Sequence, residues 1–356
     1  MIKDNKIYNN NCHLFQIESL SATKLSTDDV LLTPTIGVLS SRKDAVFSQP
    51  FIMSSPMDVV TGLDLTEVML NSNQAPTFCR YLSSKEKEIA LKKYYNYPNF
   101  WFSVGASLKD YKYLDSFYII NPNFKINVSV DVAHGAMSDL EDLYQAYYQA
   151  PWCRNLMSGT VSTPDAANFV YQAGCNHIRV GIGPGSACST RIVTGCGYPN
   201  LSAVFEIYSY FKDMTQDVKI VADGGIRNSG DIVKYLSAGA DYVMLGSMLS
   251  TLQESNGWIK PIFGQPYKYY RGQASANFQL DRIGKIVAFP EGVTSTKRLH
   301  PGKTFDQFNQ ELKAAISSSI SYLGLKDIKE LNPHNVKFVR ITPSGLNESR
   351  PHILNS

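Results

Sequence analysis

The sequence predicts an α/β fold, a closed (β/α)8 TIM barrel, and three observations lead there. Eight short, β-rich apolar runs recur along the 356 residues, at 51–55, 75–79, 100–105, 127–132, 155–161, 177–183, 218–224 and 241–247. Most runs end in small or polar residues. Most starts are spaced about 22 to 28 residues apart, which is room for a strand, a loop and a helix. Nearly continuous apolar composition suits parallel strands covered on both faces. An open doubly wound sheet is the alternative, but polar ends on so many strands favour a barrel, where function gathers at the strand ends.

The connecting segments fit this reading in order. The basic cluster at 85–93 alternates with Glu86 and Glu88 and predicts a solvated helix face. Residues 140–150 predict a helix, as do residues 166–173, where Thr163 caps, Pro164 opens and Gly174 stops the helix. Ser229-Gly230-Asp231 leads into a helix over 232–238 that stops at Gly239. The longest gap follows the sixth run, so a functional loop is expected there. Residues 256–270, with two glycines and two prolines, predict a loop or hairpin. An irregular flap is predicted over 273–304, a helix over 305–323 and a short strand over 336–341. The expectation is one catalytic domain over 1–356 with a C-terminal extension.

Composition removes several function classes. A net charge of +3 argues against nucleic acid as the main partner. No apolar run approaches the roughly 20 residues that span a bilayer, and the polar start at 1–11 does not read as a secretory signal. Cysteines at 12, 79, 153, 175, 188 and 196 form no CxxC pair and no zinc spacing. Free thiols in a cytoplasmic protein are the expectation.

Chemistry concentrates at five strand ends. Residues 181–197, GIGPGSACSTRIVTGCG, place Cys188 inside a glycine-rich loop beside Ser186, Thr190 and Arg191. Glycines admit a close ligand, and a nearby cation can favour the thiolate. Residues 221–231, VADGGIRNSGD, and 243–248, VMLGSM, end the seventh and eighth strands, where this fold commonly binds phosphate. There Asp223 could accept from ribose hydroxyls while Ser247 donates to phosphate. Ser54-Ser55-Pro56-Met57-Asp58 follows the first strand, and Met57 could pack on a flat base. Asp131 ends the fourth strand, and the neighbouring His134 reads as structural. Tyr270-Arg271-Gly272 leads into the flap.

These residues resemble one superfamily. GIGPGSACSTR is similar to the cysteine loop shared by IMP dehydrogenases and GMP reductases, supported by SSPMD at 54–58, DVAHG at 131–135, ADGGIRNSGDI at 222–232, VMLGS at 243–247 and YRG at 270–272. The resemblance implies that Cys188 attacks C2 of a purine nucleotide, GMP or IMP, to form a thioimidate, with hydride passing to or from a nicotinamide. It implies that Ser186, Asp223, Gly225, Gly246, Ser247, Tyr270 and Gly272 hold the nucleotide, with Ser55 and Met57 near base and sugar. Asp131 and Arg80 fall on the cofactor side. Carbonyls of Gly183, Gly185 and Cys188 match a monovalent-cation site, for K+ in the dehydrogenases. A homotetramer is implied.

Two reactions fit this family. The dehydrogenases carry a regulatory domain pair after the second strand, and Cys79 to Phe100 leaves no room for one. They also use an Arg-Tyr pair in a long flap, where Arg282 is followed here by Ile283. Together with QASANFQ at 273–279, SSSISYLG at 317–324 and the Thr190 and Glu291 positions, this favours an NADPH-dependent GMP reductase. The alternatives are an NAD-dependent IMP dehydrogenase lacking the regulatory domain and a non-catalytic nucleotide-binding barrel. Thr160 and Gln273-Ala274 depart from the family pattern.

Overall fold

The computed structural model describes residues 23–214, 217–286, 288–298 and 302–351. The polar start at 1–11 and Cys12 lie outside the described residues, as do residues 287 and 299–301 of the flap. After a short β1 (Val30–Leu32), eight strands alternate with helices: β2 (Ile52–Ser54), α1 (Leu63–Asn71), β3 (Thr77–Phe78), α2 (Ser84–Tyr94), β4 (Trp101–Val104), α3 (Leu108–Ile120), β5 (Ile126–Asp131), α4 (Glu141–Gln149) and β6 (Cys153–Val161). The series continues with α5 (Pro164–Gln172), β7 (His177–Val180), α6 (Thr190–Thr194), α7 (Asn200–Phe211), β8 (Lys219–Asp223), α8 (Ser229–Ser237) and β9 (Tyr242–Leu245). Each of these eight strands overlaps one of the apolar runs.

The sheet order β2-β9-β8-β7-β6-β5-β4-β3 is parallel throughout. It closes on itself: the Ala75 amide donates to the Ile52 carbonyl (2.9 Å) and the Ser54 amide to the Ala75 carbonyl (3.2 Å). Closure removes both sheet edges, and this makes the fold a (β/α)8 barrel. Met53, Trp101, Met157, Val221 and Met244 pack the interior as a floor beneath the strand ends. His177 lies in that floor, its ring 4.6 Å from the Trp101 ring. Burial there, with Lys219 nearby, pulls its pKa down to about 3.

Local chemistry sets the helix starts. The Thr163 hydroxyl accepts from the Ala166 amide with Pro164 in the first turn, and Asn228 accepts from the Asp231 amide. Gly174 and Gly239 follow their helices at φ +108° and +106°, a region where a side chain is strained. Beyond the barrel, β10 (Ile259–Ile262) and β11 (Gln265–Arg271) form a hairpin turning through Phe263 and Gly264. The described residues of the region predicted as an irregular flap carry regular structure instead. It contains α9 (Ala276–Ile283) and β12 (Thr294–Arg298), and β12 adds to β11 antiparallel. Sequence periodicity missed it because β12 depends on distant strand pairing rather than on its own apolar pattern. Then α10 (Phe305–Tyr322) packs on α8 and α1, β13 (Phe338–Arg340) pairs with β1, and α11 (Pro343–Glu348) follows.

Among the described residues no helix is long and apolar enough to cross a membrane.

Candidate active site

The C-terminal ends of the strands enclose a cavity of about 620 Å³, within the usual range for small-molecule sites. Every residue the sequence put forward for catalysis, substrate, cofactor or cation lines it. Met57 and Ser55 follow β2, Arg80 follows β3, and Asp131 ends β5. Gly183, Gly185, Ser186, Cys188 and Thr190 come from the loop after β7. Asp223 and Gly225 come from the end of β8, and Gly246 and Ser247 from the end of β9. Tyr270, Gly272 and Glu291 come from β11 and the segment before β12. His134 is exposed and does not line the cavity.

Thiols divide sharply. Burial pushes the Cys79 and Cys175 thiols well up and the Cys153 thiol to about 12. Cys188 is exposed at the cavity, and its Sγ donates to the Thr190 hydroxyl at 3.2 Å. The cysteine loop is braced from two sides. Arg191, expected beside the thiol, instead donates from Nε to the Ile182 carbonyl (2.9 Å) and also donates to the Tyr198 carbonyl. On the other side the segment before β12 runs along the loop. The Ser189 amide donates to the Glu291 carbonyl (2.8 Å) and the Val293 amide to the Ala187 carbonyl (2.9 Å). Gly272 permits this approach, since a Cβ there would stand 2.8 Å from the Ala187 carbonyl oxygen. Glu291 and Cys188 are thus brought to one cavity by backbone pairing.

At the end of β8, Gly224 and Gly225 line the cavity and adopt φ +83° and +75°, a region where a side chain is strained. A Cβ on Gly246 would meet the Tyr270 hydroxyl at 3.1 Å and the Met57 sulfur at 3.2 Å. The Ser186 and Tyr270 hydroxyls lie 3.4 Å apart, and burial raises the Tyr270 pKa, keeping it a donor. Glycine amides and hydroxyl donors gathered in this way can hold an anion, and this corner of the cavity is termed the cradle.

Across the cavity lies a charged chain in which only Arg179 lacked a sequence assignment. Arg179, on β7, donates from Nη1 to Asp131 Oδ1 and from Nε to Asp223 Oδ2, each at 2.8 Å. Burial alone would lower its pKa, but the Asp223 and Asp131 carboxylates outweigh that and raise it. Asp131 Oδ2 is buried with no hydrogen-bond partner, and Arg80 Nε stands 3.6 Å from it. The signal in the sequence was an arginine between Ile178 and Val180 at the centre of a buried strand. Thr160 also lines the cavity, with its hydroxyl engaged by the Ala133 carbonyl at 2.7 Å.

The flap base is locked by charge. Arg271 and Arg282 both donate to Asp58 Oδ2, at 2.6 and 3.2 Å, and Gln273 donates to the Pro56 carbonyl at 2.6 Å. Arg282, the nearest match to a water-activating flap arginine, is therefore held on Asp58 and is not part of the cavity lining. Among the described residues no cluster of three or more His, Cys, Asp or Glu could hold a metal ion.

A closed barrel whose β8 and β9 end in glycine turns, with an exposed loop cysteine in the same cavity, is the architecture of a small-molecule enzyme site at the strand ends. Residues 25–352 match the IMP dehydrogenase / GMP reductase domain, and the chain belongs to that family. It is 38% identical over 236 residues to an inosine-5'-monophosphate dehydrogenase of Chlorobaculum tepidum, covering 63% of this chain and 47% of that protein. The same-named protein of Aquifex aeolicus is 40% identical over 234 residues, covering 63% and 46%. That of Thermoplasma acidophilum is 41% identical over 204 residues, covering 56% and 41%. The chain thus spans about half the length of the curated relatives it matches.

Proposed function

We propose that the chain is an oxidoreductase acting at C2 of a purine nucleoside 5′-monophosphate, and that the reaction is oxidation of IMP to XMP with NAD. The observation that carries the chemistry is the exposed Cys188 thiol sharing one cavity with the anion cradle. The names of the relatives support IMP over GMP, which sequence motifs alone had favoured. In this reading the cradle fixes the phosphate, Asp223 takes the ribose hydroxyls, and Met57 packs on the base. The Cys188 thiolate forms a bond to C2, hydride leaves C2, and water adds to the resulting thioimidate to expel the thiolate and release XMP. Thr190, 3.2 Å from the sulfur, and Glu291 on the same wall form a proton relay for that water.

A bound nicotinamide supplies the hydride acceptor. Asp131 Oδ2, which accepts no hydrogen bond and has Arg80 beside it, suits a carboxamide N–H. A monovalent cation on the Gly183, Gly185 and Cys188 carbonyls would share the Gly185 carbonyl with the Cys188 amide, 3.0 Å away. The described residues are proposed to act as one catalytic domain, in a homotetramer.

One observation favours a second reading, NADPH-dependent deamination of GMP to IMP. Thr190 and Glu291 are in the cavity while Arg282 is tied to Asp58. Nicotinamide absorbance with each substrate pair separates the readings. NADH formation from IMP and NAD is expected. Turnover of GMP with NADPH and none of IMP would replace the first reading by the second. Nucleotide binding without turnover of either pair would leave a non-catalytic binding barrel.

A further inference from the structure

The strands β11 and β12 carry two lysines directly opposite each other, Lys268 and Lys297. Like charges at facing positions of an antiparallel pair repel. Neither lysine forms an ion pair with a carboxylate among the described residues. Lys268 is satisfied by the chain, because its ammonium donates to the Leu252 carbonyl at 2.8 Å and to the Ser255 carbonyl. Lys297 points elsewhere. Its ammonium donates to the hydroxyl and carbonyl oxygens of Ser247, the carbonyl at 3.2 Å, and lies 4.7 Å from the centre of the Tyr270 ring. Burial alone lowers its pKa. A half-buried cation without a counter-ion is costly unless an anion reaches it.

That anion has a place to sit. Ser247 and Tyr270 both line the cavity where β8 and β9 end in glycine turns. A Ser247 oxygen that accepts from Lys297 turns its own O–H away from the ammonium, free to donate into the cavity. We propose that Lys297 is the counter-charge of the nucleotide's 5′-phosphate, acting through Ser247 and through its field at the cradle. The inference rests on the nucleotide reading above and deepens it.

Equilibrium calorimetry with IMP, inosine and inorganic phosphate tests this without turnover. Lys297→Met is expected to weaken IMP about 10- to 100-fold, the usual weight of a charge-assisted contact. Inosine, which lacks the phosphate, should change less than about twofold, and phosphate should no longer raise the melting temperature. Lys297→Arg should recover most of the IMP affinity, and Lys297→Gln serves if the Met variant does not fold. Equal weakening of IMP and inosine, or no weakening of IMP, overturns the inference while leaving the nucleotide reading intact. Wild-type protein that binds IMP but turns over nothing removes only the enzymatic reading. Wild-type protein that binds neither IMP, GMP nor phosphate removes both.

Discussion

The two ends of the cavity are built on opposite electrostatic plans. The cradle end, in the reading proposed here, uses glycine backbone, hydroxyls and the Lys297 ammonium, which has no carboxylate partner among the described residues, to receive an anion. The other end is already neutralised within itself: Arg80, Asp131, Arg179 and Asp223 form one chain of alternating charge, and one carboxylate oxygen, Asp131 Oδ2, has an ion pair but no hydrogen bond. The first plan selects a charged group by field. The second selects a neutral, hydrogen-bonding group by geometry, because any net charge there would upset a buried balance. Asp223 belongs to both, since it ends the cradle strand and anchors Arg179. Cys188 stands in the cavity that both ends share.

The comparison can be broken at several points. The largest effect is expected from Cys188→Ala, which should lower turnover by at least about 10⁴-fold, as loss of a nucleophile does elsewhere. Nucleotide affinity by calorimetry should stay within a few-fold, and residual turnover near wild type would remove the thiol from the chemistry. Arg179→Met follows. It leaves Asp223 without its ion-pair partner and Asp131 with Arg80 alone, and should destabilise the fold by about 3–5 kcal/mol in urea unfolding. Phosphate binding at the cradle should persist in that variant, since Asp223 is the one residue that the two ends share. A loss below about 1 kcal/mol would show that the charged chain is not a structural unit.

A smaller effect is expected from Gly272→Ala. The new Cβ would meet the Ala187 carbonyl oxygen at 2.8 Å and push Glu291 and its strand from the cysteine loop. Turnover should fall about tenfold, consistent with a misplacement of well under 1 Å, with nucleotide affinity falling less. Unchanged turnover would detach Glu291 from catalysis.

The smallest effect concerns the floor beneath both ends. His177 is held neutral, with a folded pKa of about 3 against 6.5 when unperturbed. Below about pH 6.5 the unfolded chain takes a proton at this ring and the folded chain does not, so stability is full above that pH and falls toward pH 3. His177→Leu should flatten this acid limb in melting curves, and an unchanged limb would assign it to other groups.

The barrel was legible because its strands are buried on both faces and read as apolar runs, while helix caps such as Thr163 and Asn228 announce themselves locally. The glycine turns and Cys188 were legible for a related reason, as residues out of place in ordinary loops. β12 was not, because it takes its structure from β11, while the segment before it is held by the loop at 187–189. Nor was Lys297, whose meaning comes from Ser247, fifty positions away. Arg179 lay in plain view at the centre of β7, but its two partners come from β5 and β8, and no local pattern joins them.

The central claim is that the Cys188 sulfur bonds to the purine while the cradle holds the phosphate. Rapid acid quenching during turnover of IMP with NAD, followed by peptide mass analysis, tests it most directly. The expected result is a nucleotide adduct on the peptide containing Cys188, absent when NAD is omitted and absent in Cys188→Ala. Steady turnover with no adduct at any time point, or an adduct on another residue, would contradict the account.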